Sequence, residues 1–443
     1  MRDDTNSTAV TSALVSKIDI EKLFGRYDYR LEIPSTESGA VSRIAMIYGD
    51  NGTGKTTILG LLFHLLSPAD DRGHRTAIGR IPFARFSVAF SNGTEISVER
   101  EAGSIIGQYT ITFAKAGSHP LSGLVGLDPE GRAKPETLTP GADKAIREIC
   151  NLGLPIFFLS DDRRLQTDAF RGDQEEYFVA PLPSEIGTPF PRVPPNPRDT
   201  ALRLSLDVTS TWVSRRLIEA CSRGEADAQH IYATIVETIN KLGVPEIKDQ
   251  RAEKEQLIEE LKQLDKRSDS FTEFGLVAKV DTKRFVQGLA DTKPKGFPFV
   301  AQVVRSFIHG QKARLDALED LNTLLARFVK LINGFLVDKY IELDVERGIS
   351  ILLDSRTSLS SENLSSGEKQ LLLLFCNVLT SSDSASLFII DEPEISLNVK
   401  WQRRLVDVLM DITKGSQCQF LLATHSIELL AKHRRQTIKL VPR

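Results

Sequence analysis

Residues 43–57 read RIAMIYGDNGTGKTT, and this stretch decides the fold. The mostly apolar run Arg43–Tyr48 predicts a buried strand, and Lys55–Leu66 predicts a well-covered helix that ends at Ser67-Pro68. Between them lies the complete phosphate-binding pattern G-x-x-x-x-G-K-T, in the strand-to-helix context that its chemistry requires. Glycines let successive backbone N–H groups converge on phosphate oxygens, and the helix N-terminus adds a positive dipole. The stretch therefore predicts an α/β fold that binds phosphate groups.

The side chains of this loop have distinct expected roles. Lys55 would neutralise the β- and γ-phosphates of a nucleotide, and the hydroxyl of Thr56 would ligate Mg²⁺. The remaining contacts would come from the backbone of the glycine-rich segment. The loop residues predicted to bind the nucleotide are Gly49, Asp50, Asn51, Gly52, Thr53, Gly54, Lys55, Thr56 and Thr57.

Two further apolar runs end in residues that can carry chemistry. The run Ser386–Ile390 is followed by Asp391, which would bind Mg²⁺, and by Glu392, which would orient or deprotonate the attacking water. Acidic residues also commonly solvate the ends of strands, so this pattern alone leaves both interpretations open. The run Gln419–Thr424 is followed by His425, and a lone histidine is more often structural than functional.

Residues 364–368 read LSSGE and precede the apolar helix Leu371–Leu379. Ser365, followed three residues later by Glu368, is a capping-box pattern, and an ordinary helix start would look the same. The functional interpretation is a second anion site, built from the Ser365 hydroxyl, the Gly367 N–H and the helix dipole. One chain would then carry two phosphate-binding surfaces, so that two copies could sandwich two nucleotides head to tail.

The four motifs resemble those of ABC-type ATPases in order and context. Asp391 follows Ser365 by 26 residues, and His425 follows Asp391 by 34. The resemblance covers residues 1–175 and 340–443, and it implies Mg²⁺-dependent hydrolysis of ATP to ADP and phosphate by a head-to-tail dimer or a higher homo-oligomer. It assigns catalytic roles to Lys55, Glu392 and His425, metal binding to Thr56 and Asp391, and contact with the partner copy's nucleotide to Ser365, Gly367 and Glu368.

Other details resemble one branch of this superfamily. Asp391-Glu392-Pro393-Glu394, followed by Trp401-Gln402, is similar to the non-transporter group that includes RecF, SMC proteins, the OLD nucleases and related phage-defence ATPases. Phe157–Arg164 resembles the arginine-containing strand end that those defence ATPases carry before a helical insertion, as in the ATPase subunit of the PARIS anti-phage system. Lys55 and Ser365 stand 310 residues apart, far more than in transporters.

The resemblance implies a sensor and scaffold in prokaryotic antiviral defence, which holds an effector and releases it when triggered. OLD enzymes carry a Toprim domain with clustered acidic ligands after the ATPase, and no such cluster follows His425. Any effector is therefore expected to be a separate protein, such as a Toprim or HNH nuclease, or to be absent. The alternative is a DNA-repair or chromosome-maintenance ATPase that clamps DNA. The near-neutral charge argues mildly against that alternative, because phosphate contacts need clustered Lys and Arg.

Some positions depart from the ABC pattern or leave two interpretations. No Mg²⁺-sensing glutamine stands at the strand end before the insertion, where Asp161 or Asp162 is a candidate substitute. Arg163 and Arg164 would either reach phosphate or pair with acidic neighbours. Tyr27 would either stack on adenine or pack in the core, and packing is the favoured interpretation.

Composition excludes several classes of protein. The 443 residues include 56 Lys and Arg against 59 Asp and Glu, a net charge of −3, with 41% hydrophobic residues. These values are ordinary for a globular chain and exclude a disordered or collagen-like one. The four cysteines are scattered without C-x-x-C spacing, so they indicate neither a disulfide framework nor a zinc site. With no membrane-spanning run and no secretory signal pattern, we predict a cytoplasmic protein without membrane association.

The segment order predicts an ABC-ATPase core, with a parallel sheet, flanking helices and an antiparallel β subdomain, interrupted by a helical insertion. Residues 181–198 hold seven prolines, too many for a helix or an inner strand. Apolar residues in Leu318–Phe335 follow a 3-4-3-4-3 spacing, which predicts a coiled-coil-like seam packed inside a small bundle. The predicted domains are an N-terminal ATPase part at 1–180, a Pro-rich linker at 181–198, the insertion at 199–338 and a C-terminal ATPase part at 339–443.

Overall fold

The computed structural model describes residues 14–69, 72–161, 165–167, 197–242, 247 and 249–442. These residues form two compact units. The first unit contains the part of the chain up to Ala201 and the part from Ser365 onward. The second unit contains Leu202–Leu364. The chain therefore leaves the first unit and returns to it, as predicted for a core with an insertion.

The described residues contain fourteen β-strands. Twelve form two six-stranded sheets in the first unit, and the other two form a hairpin in the second. The strands are β1 (Val15–Leu23), β2 (Tyr27–Glu32), β3 (Ile44–Tyr48), β4 (Arg85–Phe90), β5 (Glu95–Glu99), β6 (Tyr109–Ala114), β7 (Leu121–Val125), β8 (Ile156–Leu159), β9 (Leu165–Thr167), β10 (Lys339–Asp344), β11 (Gly348–Leu353), β12 (Ser386–Asp391), β13 (Cys418–Thr424) and β14 (Thr437–Lys439).

Ten α-helices occur in the same described residues, and four of them, α4 to α7, build most of the second unit. The helices are α1 (Lys55–Leu66), α2 (His74–Arg80), α3 (Pro140–Asn151), α4 (Pro197–Leu242), α5 (Gln250–Thr272), α6 (Thr282–Asp291), α7 (Phe297–Asn333), α8 (Ser366–Thr380), α9 (Val399–Ile412) and α10 (Ile427–Lys432).

One sheet of the first unit has the strand order β14-β3-β13-β12-β8-β9. Its neighbours pair in parallel from β14 to β8, and β9 pairs antiparallel at the edge. Every residue of β12 and β13 is buried, which is typical of parallel strands covered on both faces. Because parallel strands end at the same edge, the residues after β3, β12 and β13 are brought together there.

The other sheet is antiparallel throughout, with the order β2-β1-β4-β5-β6-β7. A turn at Asn92-Gly93 joins β4 to β5. Helix α1 contributes Ile58, Leu59 and Leu62 to one buried core that also includes residues of both sheets. The predicted fold class, a parallel sheet with flanking helices and an antiparallel β subdomain, interrupted by a helical insertion, is confirmed.

In the second unit, helices α5 and α7 run side by side in the same direction. Three ion pairs join them at a constant offset of 52 residues: Glu253 to Arg305, Glu260 to Lys312 at 2.9 Å, and Arg267 to Glu319 at 2.6 Å. Successive pairs are seven residues apart on each helix, the repeat of a coiled coil. The apolar seam predicted for Leu318–Phe335 lies in this unit, with its six seam residues buried.

The second unit extends further along the chain than the predicted insertion. The hairpin of β10 and β11 belongs to it, so the unit ends at Leu364 rather than at residue 338. Two hydrogen bonds join the end of α7 to β10: Asn333 Nδ2 donates to Ile341 O at 3.1 Å, and Ile341 N donates to Asn333 Oδ1 at 2.8 Å. Helix α4 begins at Pro197, inside the segment predicted as a linker, and residues 181–196 lie outside the described residues.

None of the helices in the described part of the chain combines the length and the apolar character that a bilayer span requires.

Candidate active site

The loop between β3 and α1 has the conformation that its glycines allow. Gly52 and Gly54 adopt left-handed conformations, with φ of 78° and 91°. A Cβ at position 54 would also come within 2.5 Å of Leu23 Cδ2, so only glycine fits there. Thr53 Oγ1 donates to Asp50 O at 2.8 Å and closes the turn, while Asn51 is exposed at its tip.

Lys55 is the buried cation of this loop. Its Nζ donates to Gly49 O at 2.9 Å and to Asp50 O at 3.1 Å. Burial lowers the pKa of Lys55, and the carboxylates of Glu392 and Asp391 oppose that change. The ammonium group therefore lies within electrostatic reach of both acidic residues at the end of β12. Thr56 and Thr57 follow in the first turn of α1, where Thr56 is exposed.

Asp391 is the last residue of β12 and is fully buried. Within the described residues, neither of its carboxylate oxygens has a hydrogen-bond partner. Burial raises the pKa of this carboxyl, and the nearby hydroxyl of Thr56 opposes the rise. A buried carboxylate without a partner, beside a hydroxyl, is an oxygen donor set that suits Mg²⁺. The described residues contain no group of three or more His, Cys, Asp or Glu side chains placed to hold a metal ion. Mg²⁺ commonly binds through one or two protein oxygens together with substrate phosphates.

Glu392 and His425 form a pair at the same edge. His425 Nε2 lies 3.2 Å from Glu392 Oε1, and Glu392 adopts a left-handed conformation with φ of 47°. Burial, together with the neighbouring carboxyl of Glu394, raises the pKa of Glu392 to about 8. Burial and the ammonium of Lys55 lower the pKa of His425. The pair therefore places a carboxyl oxygen and an imidazole nitrogen within hydrogen-bonding distance at this edge.

The segment that carries His425 is held by two side chains whose role the sequence did not reveal. Glu394 Oε1 accepts hydrogen bonds from Thr424 Oγ1 and from the main-chain N–H of His425, both at 2.7 Å. Ser426 Oγ donates to Gln402 Oε1 at 2.7 Å. The only sequence signal for these contacts was the pattern that places Glu394 and Gln402 shortly after Asp391.

The capping box predicted at the start of α8 is confirmed. Ser365 N donates to Glu368 Oε2 at 2.8 Å, and Glu368 N donates to Ser365 Oγ at 3.4 Å. A Cβ at Gly367 would meet the Ser396 carbonyl oxygen at 2.5 Å, so this glycine is required by packing within the chain. Ser365 Oγ still has its own proton to donate to an external acceptor.

Tyr27 packs against other side chains, as the favoured interpretation expected. It is half-buried, its ring lies 5.8 Å from that of Tyr29, and the Arg26 guanidinium carbon lies 4.6 Å from its centroid. Phe24 lies beside the phosphate loop: its Cε2 is 3.3 Å from the place that a Cβ at Gly54 would occupy, and its side chain is 40% exposed. Sequence reasoning missed this residue, because its left-handed backbone, with φ of 55°, has no residue-type signature.

The strand end before the insertion is described only in part. Asp161 is exposed, and its charge contributes to the raised pKa of Asp391, so it lies near that carboxyl. Asp162, Arg163 and Arg164 lie outside the described residues. The structure thus brings the residues following β3, β8, β12 and β13 to one sheet edge.

Comparison with known proteins gives a family and a set of solved structures. Residues 44–431 match the family described as "AAA domain, putative AbiEii toxin, Type IV TA system". A search of curated proteins gives no match. The structure is similar to an Smc head domain with an extended coiled coil, bound to the C-terminal domain of ScpA, from Pyrococcus furiosus. The identity is 14% over 97% of this chain and 94% of that chain, and the TM-score is 0.40. It is also similar to an Smc head domain with a coiled coil and joint from Pyrococcus yayanosii, with 13% identity over 97% and 95% of the chains and a TM-score of 0.39.

Proposed function

The chain belongs to this family of AAA domains, which are nucleotide-binding ATPases, and from that premise we propose that it hydrolyses ATP with Mg²⁺ at the edge of its parallel sheet. One observation carries the proposal. Asp391 is fully buried, and both of its carboxylate oxygens lack a hydrogen-bond partner within the described residues. A buried carboxylate is costly unless a cation compensates it, and the phosphate loop beside it would bring that cation with the nucleotide.

Each residue of the site has a role in this reaction. Lys55 and the N–H groups of the loop bind the β- and γ-phosphates, while Thr56 and Asp391 hold Mg²⁺. When bound, Mg²⁺ neutralises charge on the phosphate oxygens. Glu392 orients a water and takes its proton as the water oxygen bonds to the γ-phosphorus and the bond to ADP breaks. His425, whose Nε2 lies 3.2 Å from Glu392 Oε1, would contact the γ-phosphate.

The site is completed by a second copy of the chain. The N-terminus of α8 presents the Ser365 hydroxyl and the backbone of Gly367, with Glu368 buried beneath them as the capping partner. Because the Ser365 proton is free to be donated, this helix end suits a phosphate oxygen of the partner copy's ATP. We therefore assign a head-to-tail dimer, or a higher homo-oligomer built from it, with two nucleotides between two chains.

The test is ATP turnover by the purified chain with and without Mg²⁺. Lys55→Ala removes the cation that compensates the phosphate charge, so we expect turnover to fall by at least about 100-fold. Lys115→Ala, in an exposed turn between β6 and β7, is the matched control and should hydrolyse ATP at the wild-type rate. Equal turnover in the Lys55 and Lys115 variants would refute the assignment of the site.

The biological role is a further part of the proposal. The family description names a toxin of a type IV toxin–antitoxin system, which supports a role in prokaryotic defence. We assign to the chain the role of a sensor and scaffold that controls a separate effector, of which a Toprim or HNH nuclease is the expected class.

The experiment for this role is purification of Glu392→Gln from the native host with Mg·ATP, followed by identification of what accompanies it. A stoichiometric nuclease without nucleic acid supports the scaffold. DNA without a protein partner would instead favour an ATPase that clamps DNA. Lys55→Ala, purified in the same way, is the control for association that does not depend on ATP.

A further inference from the structure

Glu394 lies three residues after Asp391 and interacts with the segment that follows β13. Its Oε1 accepts three hydrogen bonds: from Thr424 Oγ1 at 2.7 Å, from His425 N at 2.7 Å and from Ser426 N at 2.9 Å. Thr424 is the last residue of β13, and His425 and Ser426 form the link between β13 and α10. This one carboxylate oxygen therefore holds the side chain of the residue before His425, the main chain of His425 and the main chain of the residue after it.

A second side chain holds the same segment from the side of α9. Ser426 Oγ donates to Gln402 Oε1 at 2.7 Å, and Gln402 Nε2 donates to Leu397 O at 2.9 Å. Ser426 Oγ also accepts from Leu429 N at 3.3 Å as the N-cap of α10. Gln402 and Leu429 therefore hold the hydroxyl group of Ser426. Glu394 instead holds the main-chain N–H of His425.

This restraint bears directly on the pair formed by Glu392 and His425. Glu392 N donates to Ala423 O at 2.9 Å, so the backbone of Glu392 is held by β13. The backbone of His425 is held by Glu394. The 3.2 Å separation between His425 Nε2 and Glu392 Oε1 depends on both anchors. Loss of Glu394 would release the histidine side of the pair and leave the glutamate side in place.

We propose that Glu394 is a positioning residue for ATP hydrolysis, which holds the main chain of His425 so that its imidazole meets Glu392. This inference rests on the proposed ATPase function. In this proposal Glu394 contacts neither nucleotide nor metal. Its carboxyl also raises the pKa of Glu392, but it acts on the rate through the position of His425. A carboxylate suits the task because its charge strengthens hydrogen bonds from N–H donors. A glutamine would keep one acceptor oxygen with weaker bonds, and an alanine would keep none.

The kinetic test compares Glu394→Gln and Glu394→Ala with wild type. Misplacement of a reacting group by about 1 Å can cost about 100-fold in rate. We therefore expect kcat to fall about 10-fold in Glu394→Gln and about 100-fold in Glu394→Ala, with KM for ATP and the thermal midpoint close to wild type. Glu428→Gln is the matched control, because this carboxylate pairs with Arg403 on the surface and should leave kcat unchanged.

A double variant separates positioning from an independent effect. Because Glu394 acts through His425, the variant Glu394→Ala/His425→Ala should turn over ATP no more slowly than His425→Ala alone. Losses that multiply in the double variant would overturn the proposal. A wild-type kcat in Glu394→Ala would do the same.

Amide hydrogen exchange at His425 supplies a readout that needs no turnover. In Glu394→Ala the His425 N–H loses its acceptor, and its exchange should accelerate by about tenfold or more, while exchange in the core strand β12 stays at the wild-type rate. Unchanged exchange at His425 overturns the inference. If the wild-type chain hydrolyses no ATP, the proposed function fails, and the exchange comparison still decides whether Glu394 holds this segment.

Discussion

At the scale of single residues, the site places several carboxylates around one lysine. Asp391, Glu392 and Glu394 all influence the pKa of Lys55, and Asp391 is fully buried. One ammonium group does not balance several carboxyl groups, and buried charge that is left uncompensated destabilises a folded protein. The protein therefore tolerates an unfavourable charge cluster at the point where Mg²⁺ and a nucleotide would neutralise it.

This charge cluster leads to a prediction about Asp391→Asn. Replacing a buried carboxylate by a neutral amide removes the cost of the charge, so without ligand the variant should melt at or slightly above the wild-type midpoint. Mg·ATP at about 100 times its Kd should stabilise the wild type by about 2.7 kcal/mol, and the variant far less. Thermal melts with Mg·ATP and with ATP plus a chelator measure both effects. An equal ligand-induced shift in the two proteins would contradict the metal assignment.

A second prediction at this scale concerns Glu392→Gln. The amide cannot accept the proton of the attacking water, so turnover should fall by about 100- to 10,000-fold while ATP binding persists. The purified variant, mixed with Mg·ATP and passed through a desalting column, should retain intact ATP. Retention of ADP instead would show that another residue activates the water.

At the scale of elements, α5 and α7 are joined by ion pairs at heptad spacing, and this arrangement has a pH dependence. The Lys312 ammonium holds the pKa of Glu260 below its ordinary value of 4.5. A lowered folded-state pKa means that the ionised form stabilises the fold. This contribution is present above the ordinary pKa and is lost as the pH falls below 4.5 through the lower folded-state value.

We therefore expect Glu260→Gln to cost about 0.5 kcal/mol of unfolding free energy at pH 7 and almost nothing near pH 3. The pair is partly exposed, which keeps the effect small. Urea unfolding at both pH values measures it. Glu259→Gln, at an exposed position of the same helix, serves as the matched control and should show no such pH dependence. A loss that is equal at both pH values would mean that Glu260 contributes through packing instead.

The sequence predicted what is local and missed what depends on distant contacts. Lys55, Asp391 and His425 each stand at or after the end of an apolar run, and parallel strands bring such positions to one edge, so the placement of these residues could be predicted from the sequence. The heptad spacing predicted a helical seam, but nothing in it specifies that α5 and α7 run in the same direction. Glu394 contacts residues 30 to 32 positions away, a pairing that no spacing rule contains.

At the scale of the whole molecule, the start of α8 is expected to act on a second copy. Ser365→Ala removes the hydroxyl that would contact the partner's ATP, so in the Glu392→Gln background it should weaken the Mg·ATP-dependent dimer by about tenfold or more. Sedimentation velocity with and without Mg·ATP measures the dimer, and nucleotide binding by each chain should persist. Ser360→Ala also removes an N-cap hydroxyl, at a short helical turn, and controls for the loss of a cap. Equal dimerisation of the two variants would exclude this role for Ser365.

The close approach of Ser396 to Gly367 affects how variants of the LSSGE motif at residues 364–368 would behave genetically. A methyl group at position 367 would meet the Ser396 carbonyl oxygen at 2.5 Å and displace the segment that carries Glu394. One Gly367→Ala copy would thus damage its own catalytic pair as well as the site that it completes for its partner. In a mixed dimer both ATP sites would fail, whereas one Lys55→Ala copy would spare the site containing the wild-type loop. Coexpressed with wild type, Gly367→Ala should therefore behave as the dominant allele and Lys55→Ala as the milder one.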